Sequence, residues 1–422
     1  MGQTITEKIF SEHVGKPVYA GEIVRSSIDM VIGNDITTPI SIKAFEDSGA
    51  TKLANPDGFS IVLDHFIPAK DIASANQARI SRDFAKKHAM KNFFDEKEMG
   101  IEHALLPEKG LVVPGDVIIG ADSHTCTHGA LGAFSTGMGS TDLAFAMITG
   151  GNWFKVPESI KVVLSGKPGT YTTGKDIILE IIRMIGVDGA LYRTLEFTGS
   201  TIPYLSMDDR FSMCNMAIEA GAKSGIVAYD EITAEFLADK PLAREPKIHT
   251  SDEDATYVQI LEIDVAALEP VIAYPFLPSN GHSITQAVSD NIKIDQAFIG
   301  SCTNGRLSDL KIAAEILKGK RVHPDVRLIV TPGTQRIVRE ATKLGYIDII
   351  IDAGGVVSNP TCGACLGGYM GILGDNEVAV ATTNRNFVGR MGSRSSKVYL
   401  ANSAVAAASA ITGYITDPAT IS

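Results

Sequence analysis

The sequence contains no apolar run that approaches the roughly 18 residues required of a membrane-spanning helix. Its opening residues also lack the hydrophobic core of a secretory signal, which argues against export. These two absences predict a cytoplasmic protein that makes no direct contact with a membrane.

Positive charge is in short supply. Lys and Arg number 38 against 49 Asp and Glu, which gives a formal net charge of −11, and no segment gathers basic residues into a stripe. Proteins that bind nucleic acid through its phosphates need a basic face. The composition therefore argues against a nucleic-acid partner, although single arginines can still bind a small anionic substrate.

Three familiar catalytic signatures are absent as well. The sequence has no Gly-x4-Gly-Lys-Ser/Thr loop for nucleotide phosphates and no Gly-x-Gly-x2-Gly turn after a predicted strand. It also has no Gly-x-Ser-x-Gly elbow with a catalytic triad. These gaps argue against a P-loop enzyme, a dinucleotide-binding dehydrogenase and a serine hydrolase.

Cysteines are few and odd in number. In a long chain without an export signal, this makes a disulfide framework improbable and favours metal or redox chemistry. The five residues are Cys126, Cys214, Cys302, Cys362 and Cys365.

The pattern that is present alternates short apolar runs with helical periodicity. Such alternation predicts parallel sheets with helices on their faces, and hence an α/β fold. Strands are predicted at 60–63, 117–120, 160–164, 297–300 and 326–330, and helices at 71–87 (capped by Asp71), 175–184, 307–318 and 335–344. Changes in the pattern divide the chain into three α/β domains, 1–155, 156–270 and 271–422. The charged stretch 239–254 is predicted to be an exposed connection.

Three cysteines form the strongest candidate site. Cys362 and Cys365 make a Cys-x2-Cys within a glycine-rich loop, and Cys302 follows the predicted strand 297–300. Three thiolates from two loops suit an iron–sulfur cluster with one open iron, which can act as a Lewis acid. A zinc site, a redox dithiol and inert buried thiols remain alternatives.

Histidines and aspartates recur at the predicted strand ends. Asp122 and His124 follow one strand, Asp64 and His65 follow another, and His103 adds a third imidazole. An Asp beside a His can orient the ring for acid–base work. Each pair alone fits a polar turn or a solvated histidine equally well, but together they predict a proton-transfer set around a metal.

Two further features bear on an anionic substrate. Arg385 and Arg390 flank a glycine turn, and two guanidinium groups there can grip carboxylates, although a basic surface loop is the alternative. Arg306, just after Cys302, is a third candidate. Glu219 lies in a small apolar helix, where the residue pattern alone favours a solvated face.

Several of these segments resemble signatures of the aconitase superfamily, in the same order. The resemblance covers nearly the whole chain and is closest to the large subunits of isopropylmalate isomerases and homoaconitases. The matching segments are 120–127, 299–306, 362–365 and 384–390, together with 64–65, 100–103 and 215–221.

This resemblance implies three α/β domains around one [4Fe-4S] cluster with an open iron. It implies that Asp64 and His65 protonate the departing hydroxyl, and that Glu219 binds near the open iron rather than facing solvent. The remaining implied assignments are His103, Asp122 and His124 for the exchanged hydroxyl and water, Ser123, Arg385 and Arg390 for the substrate, Cys302, Cys362 and Cys365 for the cluster, and Cys126 and Cys214 as structural residues.

The implied activity is that of a hydro-lyase that isomerises 2- and 3-isopropylmalate in leucine biosynthesis. Homoaconitate, citramalate and 2,3-dimethylmalate are the alternative substrates. The family's base, a serine in a Gly-Ser-Ser-Arg motif on a swivel domain, has no match here, because 392–396 has a different order and place. We therefore expect a separate small subunit to carry that serine, so that this chain alone is inactive.

Some positions depart from the family's pattern. Phe276 and Ser279 replace residues that many relatives carry, and Tyr369 one that some carry, so that either the substrate or only the packing differs, and not the chemistry. Two other classes of function stay open: an RNA-binding regulator that acts after iron loss, against which the net charge argues, and a zinc hydrolase.

Overall fold

The computed structural model describes residues 2–421. Its strands and helices alternate along most of that length, as the sequence predicts. The strands are β1 (Ile23–Ser27), β2 (Met30–Asn34), β3 (Phe59–Val62), β4 (Asn92–Phe94), β5 (Val117–Gly120), β6 (Phe134–Gly137), β7 (Gly151–Lys155), β8 (Ser159–Ser165), β9 (Thr194–Thr198), β10 (Ser224–Val227), β11 (Gln259–Asp264), β12 (Val271–Ala273), β13 (Gly281–Ser283), β14 (Gln296–Ile299), β15 (Arg327–Val330), β16 (Val356–Val357), β17 (Val378–Ala381) and β18 (Lys397–Leu400).

The α-helices lie mostly between these strands. They are α1 (Ile5–Val14), α2 (Thr38–Asp47), α3 (Ile72–Lys87), α4 (Glu102–Glu108), α5 (Ser140–Thr149), α6 (Gly174–Ile185), α7 (Met207–Asn215), α8 (Glu231–Leu237), α9 (Ile284–Ser289), α10 (Leu307–Leu317), α11 (Gln335–Lys343), α12 (Tyr346–Asp352) and α13 (Ser403–Thr412). Three short 3₁₀ helices also matter below: Ser123–Leu131, Met216–Ala220 and Gly363–Leu366. Across residues 2–421, no helix is both long enough and apolar enough to cross a membrane.

Three larger sheets organise the chain. The first has the order β4-β3-β2-β5-β6 and the second β10-β9-β8-β11, and both are parallel throughout. The third, β13-β12-β18-β17-β14-β15-β16, is parallel except where β12 pairs with β13 and β18. Each sheet falls within one of the three ranges drawn from the sequence, whose boundaries remain a prediction.

The register of the parallel strands brings their carboxyl ends together. In the first sheet Asn34 of β2 pairs with Val62 of β3, and Ile32 pairs with Gly120 of β5. In the third sheet β14 lies between β15 and β17. The loops that follow these strands therefore meet, which is where open parallel sheets place their ligands.

The hydrophobic cores of the three sheets are not independent. One cluster of buried residues is centred on the second sheet and extends to Ile118 in the first and to Phe298 and Leu400 in the third. This continuity fixes the three sheets against one another through apolar burial.

Several predicted elements are confirmed closely. The helix predicted at 71–87 is α3, and Asp71 caps it by accepting a hydrogen bond from the Ser74 N–H at 2.7 Å.

The segment 239–254 has no helix or strand, as predicted, but it is not a free connection. It packs along the first sheet's domain through backbone hydrogen bonds from Ala243 to Gly110 and from Lys247 to Pro114. We call this segment the strap.

Candidate active site

The three candidate thiols lie on loops at one edge of the third sheet. Cys302 follows β14, and Cys362 and Cys365 bracket the turn that begins the 3₁₀ helix Gly363–Leu366. All three are buried and free of disulfides. Gly363 has φ of 61°, and a Cβ there would lie 3.0 Å from the Phe298 ring, so the Cys-x2-Cys loop needs glycine at this position.

Two side-chain amides donate hydrogen bonds to the sulfur of Cys302. The side-chain N–H groups of Asn215 and Asn384 each donate to Cys302 Sγ at 3.2 Å. Hydrogen bonds of this kind stabilise sulfur that carries negative charge in a metal cluster. Both asparagines lie in segments that resemble the family's signatures, but no sequence pattern indicated a role for either of them.

The thiols fit an iron–sulfur cluster better than a single zinc ion. Burial, with the Cys365 thiol nearby, raises the pKa of Cys302 well above its usual value, and burial beside Asp64 does the same for Cys362. Thiolates at this place thus need a cationic metal group to stabilise them. Among the described residues, each group whose ligand atoms all lie within 4.8 Å of one another contains at most one of the three cysteines. A tetrahedral zinc site requires closer ligands, whereas a cluster separates its thiolates.

The first Asp/His pair lies beside these thiols. His65 Nδ1 is 2.6 Å from Asp64 Oδ1, and the backbone N–H of Cys362 donates to the Asp64 carbonyl at 3.0 Å. A third residue, Asp35, accepts hydrogen bonds from the backbone N–H groups of His65 and Phe66 at 2.9 and 2.7 Å. Burial opposes the charged form of His65, but Asp64 and Asp35 raise its pKa well above the usual value.

No sequence pattern indicated a role for Asp35. It comes directly after β2, the strand between β3 and β5, so the rule of strand ends applies to it as well as to Asp64. Because no histidine adjoins it in the sequence, nothing marked it as part of a pair. Burial raises the pKa of Asp64, whereas the hydrogen bonds from His65 hold the pKa of Asp35 below its usual value despite burial.

The second pair joins α4 to the loop after β5. His103 Nε2 is 3.2 Å from Asp122 Oδ1, and Asp122 Oδ1 also accepts the backbone N–H of His124 at 2.7 Å. Burial alone would raise the pKa of Asp122, but its hydrogen bonds from His103 and His124 hold the pKa well below the usual value. Asp122 is therefore a charged acceptor at the centre of the site.

Two more residues surround His103. Glu102 Oε1 is 3.5 Å from His103 Nε2, and His128 Nε2 is 3.3 Å from His103 Nδ1. Burial, together with the charges of Asp64 and Asp122, raises the pKa of Glu102 well above its usual value. Glu102 adjoins His103 in the chain but was not singled out in the sequence, and His128, 25 residues away, reaches His103 only through the fold.

The third pair corrects one expectation. The residue pattern favoured a solvated face for Glu219, but the structure leaves only 4% of this residue exposed. Its Oε1 lies 2.9 Å from His124 Nε2 and accepts a hydrogen bond from Arg385 Nε at 2.7 Å. The solvated-face expectation was wrong because Met216–Ala220 is a 3₁₀ helix that packs against α6, α7, β10 and the 3₁₀ helix Ser123–Leu131.

The arginines divide into two kinds. Arg385 and Arg390 are only partly buried, and Arg390 Nε has no hydrogen-bond partner among the described residues. Arg306 does not join them, because it is 5% exposed, stacks on Phe211 and donates to the His103 carbonyl at 3.3 Å. Two guanidinium groups thus remain accessible to an anion, and Ser123 is partly accessible beside Asp122.

Taken together, the site sets three carboxylate-paired imidazoles next to three buried thiols. Such a site can hold a sulfur-ligated metal group, move protons and bind a carboxylate-bearing substrate. The structure brings together the residues that the sequence proposed, apart from Arg306. Cys126 lies outside the thiol group and donates from Sγ to the Asn215 carbonyl at 3.3 Å.

Known proteins are similar to this chain in both sequence and fold. Proteins named 3-isopropylmalate dehydratase large subunit are 90% identical in Sulfurimonas denitrificans (99% of this chain, 100% of the relative), 82% in Aliarcobacter butzleri and 77% in Wolinella succinogenes (99% of both chains in each case). A crystal structure of Thermococcus kodakaraensis aconitase X, holo-form, is 14% identical and shares the fold with a TM-score of 0.50 over 90% of this chain and 89% of that one. The sequence model of the aconitase family (aconitate hydratase) matches residues 7–413. The chain belongs to the aconitase family.

Proposed function

We propose that this chain is the cluster-carrying large subunit of a hydro-lyase that interconverts 2- and 3-isopropylmalate, a step of leucine biosynthesis. The observation that carries the proposal is the convergence of three buried thiols with three carboxylate-paired histidines. The choice of substrate is supported by relatives of 77–90% identity that bear the name of this enzyme's large subunit.

Cys302, Cys362 and Cys365 would hold one [4Fe-4S] cluster, the group that proteins of this family generally bind. Held by three thiolates, such a cluster supplies one open iron that polarises the substrate hydroxyl as a Lewis acid. The amides of Asn215 and Asn384 would stabilise the sulfur of Cys302 in that state.

His65 is the proposed proton donor to the departing hydroxyl. Its two neighbouring carboxylates, Asp64 and Asp35, raise its pKa and keep the imidazole protonated at neutral pH. When the C–O bond breaks, a proton from His65 converts the leaving hydroxyl into water. The hydrogen bonds from the 64–66 backbone to Asp35 hold this donor in place.

Asp122 and Glu219 organise the other two histidines. Asp122 accepts from His103 and orients it, and Glu219 does the same for His124 while also binding Arg385. In this arrangement the two imidazoles orient the exchanged water and pass protons to or from it during dehydration and rehydration.

Arg385, Arg390 and Ser123 are the proposed substrate-binding groups. The partly exposed side chains of Arg385 and Arg390 can hold the substrate carboxylates so that water returns to either of two adjacent carbons. Both arginines belong to the loop after β17, which also carries the sulfur-binding Asn384.

A second chain is required for the remaining proton. Removal of the proton beside a carboxylate needs a base, which we assign to a serine on a small swivel-domain subunit, as the words large subunit in the relatives' names support. The serines at 393–396 do not serve this purpose. Ser393 binds Asp375 and Ser395 within an exposed turn.

The loop that contains Phe276 and Ser279 adjoins the arginine loop. Asn386 Nδ2 donates to the Tyr274 carbonyl at 2.8 Å, and Phe276 is exposed next to it. An apolar ring there suits a branched alkyl substituent. A substrate panel of isopropylmalate, homoaconitate, citramalate and dimethylmalate tests this assignment.

The cluster is tested by iron and sulfide analysis with EPR on anaerobically reconstituted chain. We expect about four irons per chain and a three-iron signal after mild oxidation. Cys365→Ser should lose this signal, whereas the control Cys126→Ser, a buried thiol outside the group, should keep it. Zinc, or no metal after reconstitution, would remove the Lewis acid and with it the proposed function.

Activity is tested by adding a purified small subunit from one of the relatives. The reconstituted pair should interconvert 2- and 3-isopropylmalate, and the chain alone should not. Equal activity of the chain with and without the small subunit would contradict the assignment of the base to a second chain.

A further inference from the structure

We infer that His128 is a positioning residue that holds the His103 ring in the tautomer whose Nε2–H points at Asp122. This inference rests on the proposed function for its catalytic meaning, but its structural content can be measured separately. No role for His128 follows from the pairing of histidines with carboxylates, because His128 faces no carboxylate.

The geometry places the two imidazoles in direct contact. His128 is fully buried in the 3₁₀ helix Ser123–Leu131, and its Nε2 lies 3.3 Å from His103 Nδ1. The ring centroids are 5.2 Å apart with planes inclined by 68°. His128 Nδ1 has no hydrogen-bond partner among the described residues.

The protonation of His128 follows from this environment. Burial, reinforced by His103 and Arg306, lowers the pKa of His128 well below its usual value, so the ring is neutral and has one N–H. A buried N–H without an acceptor is rarer than an acceptor without a donor. The proton therefore belongs on Nε2, which donates to His103 Nδ1, and the lone pair of Nδ1 is left unpaired.

This assignment dictates the tautomer of His103. With Nδ1 accepting from His128, the proton of His103 lies on Nε2, where Asp122 Oδ1 is 3.2 Å away and Glu102 Oε1 is 3.5 Å away. The N–H groups then point in one direction, from His128 to His103 to Asp122. In a Ser-His-Asp catalytic triad, likewise, the outer group fixes the tautomer of the catalytic imidazole.

The donor also occupies the Nδ1 lone pair of His103, so that Nε2 is the nitrogen left to donate to Asp122. The charged groups around the ring are Glu102 on its own helix, Asp122 on the neighbouring loop and Arg306 at the start of α10.

A purely structural role explains the same residue less well. An apolar side chain would fill this buried space without leaving an unpaired polar atom, which costs stability. The retention of an imidazole at 0% exposure, with one nitrogen unpaired, indicates that its other nitrogen has a function.

The kinetic test compares two substitutions in the reconstituted two-subunit enzyme. His128→Leu removes the donor, whereas His128→Gln keeps an N–H near the position of Nε2. We expect His128→Leu to lower kcat by about 10- to 100-fold with little change in KM, because the His103 ring is no longer held in its tautomer. His128→Gln should recover most of kcat. His88→Leu, the same change at a histidine packed on Phe45 and Phe84, is the control.

The tautomer is measured directly by ¹⁵N NMR of the histidine rings in the full chain, with His103→Gln to assign its signal. We expect the proton of His103 on Nε2 and its Nδ1 as a hydrogen-bond acceptor. A proton on Nδ1, or an imidazolium at neutral pH, would overturn the inference, as would full activity of His128→Leu. Because this measurement needs no turnover, it decides the inference even if the enzyme acts on another substrate or if His128→Leu does not fold.

Discussion

Each histidine that faces the thiols has a carboxylate at one ring nitrogen, but the three pairs differ in their second neighbours. His65 lies between Asp64 and Asp35, His103 contacts Asp122, Glu102 and the neutral His128, and His124 contacts Asp122 and the Glu219 carboxylate that also binds Arg385. For His65, the neighbouring carboxylates raise the pKa of the ring well above its usual value, which suits this histidine to donating a proton.

Asp35 offers a test of how tightly the proton donor must be held. Asp35→Asn replaces Oδ2, which accepts the Phe66 N–H at 2.7 Å, by an amide that donates, so two donors oppose each other. We expect this variant to fold but to lose about 10-fold or more in kcat/KM, because the 64–66 backbone shifts. Asp57→Asn, an exposed aspartate of the same sheet's domain, should have wild-type kinetics. Unchanged kinetics of Asp35→Asn would show that the Asp35 contacts are dispensable.

At the residue scale, the sequence predicted pairs whose partners adjoin in the chain. Asp64 and His65 are neighbours, and Asp122 and His124 are two apart, so strand ends and residue types were enough to propose them. The structure keeps the first pair, but it pairs Asp122 more closely with the His103 ring and His124 more closely with Glu219. Glu219 could not be placed in this way. Its partners, His124 and Arg385, are 95 and 166 residues away, and its burial exists only once three loops have met.

At the scale of elements, sequence periodicity located the five strands and four helices that it predicted to within about one residue at each end, out of the 18 strands and 13 α-helices of the described chain. The helix predicted at 175–184 is Gly174–Ile185, and the strand predicted at 117–120 has those bounds. The predictions of these elements are accurate because each element buries one continuous apolar face. The 3₁₀ helices that carry the site have no such face, and their shape depends on contacts between domains.

The first turn of α6 shows how one element supports the site from behind. Lys175 is fully buried, and its Nζ donates to the carbonyls of Thr382 and Thr383 at 2.9 and 2.5 Å. Burial lowers the pKa of Lys175 to about 8. These hydrogen bonds fix the chain just before Asn384, whose amide binds Cys302.

Lys175→Met should loosen this support. The substitution leaves two buried carbonyls without donors, and we expect a loss of about 3 kcal/mol in the free energy of unfolding. We also expect faster iron release to a chelator, because Asn384 is less well held. Denaturant unfolding and chelation kinetics measure the two effects. Lys155→Met, on the exposed face of β7, should change neither, and an iron release rate equal to that of the parent would refute the proposed link to the site.

The C-terminal end of α1 makes stability depend on pH. His13 Nε2 lies 2.6 Å from Asp29 Oδ2, and its Nδ1 lies 2.7 Å from the Ile9 carbonyl. Burial lowers the pKa of His13, but Asp29 outweighs this and raises it above its ordinary value of 6.5. Burial likewise raises the pKa of Asp29, but His13 holds it below its ordinary value of 3.8.

The pair therefore stabilises the fold in a defined window. The histidine's contribution is complete below pH 6.5 and is lost as the pH rises through its raised pKa, whereas that of the aspartate is complete above pH 3.8 and is lost below it. We expect His13→Gln to cost about 2 kcal/mol near pH 5.5 and clearly less near pH 9. Urea unfolding at both values measures this. His282→Gln, whose ring faces Asn280, should show no such difference, and an equal cost for His13→Gln at both values would contradict the assignment.

At the scale of the whole molecule, the chain crosses between its parts more often than the sequence suggests. The strap leaves α8, runs over the first sheet's domain and returns to β11 in the second sheet. Its charged composition predicted an irregular exposed segment. What composition could not show is that its backbone pairs with residues more than 100 positions earlier. The strand order of the third sheet, in which β12 lies beside β18, could not be predicted from sequence periodicity either, because it too depends on pairing between distant residues.

Arg244 is the charged anchor of the strap, and its removal should expose how much the strap contributes. Its Nε donates to Asp116 Oδ1 at 3.0 Å and its Nη2 donates to the Leu111 carbonyl at 2.7 Å. Burial raises the pKa of Asp116 to about 6, although Arg244 opposes this, so Arg244→Ala leaves a buried carboxylate without its cation. We expect a loss of about 3 kcal/mol in the free energy of unfolding and faster proteolysis within 239–254, measured by denaturant unfolding and limited digestion.

Adding Asp116→Asn to Arg244→Ala should restore part of the stability, because the unpaired charge is gone. Lys247→Ala, which breaks an exposed ion pair with Glu12, should cost under about 0.5 kcal/mol. If Arg244→Ala costs no more than Lys247→Ala, the strap is held by its backbone hydrogen bonds alone.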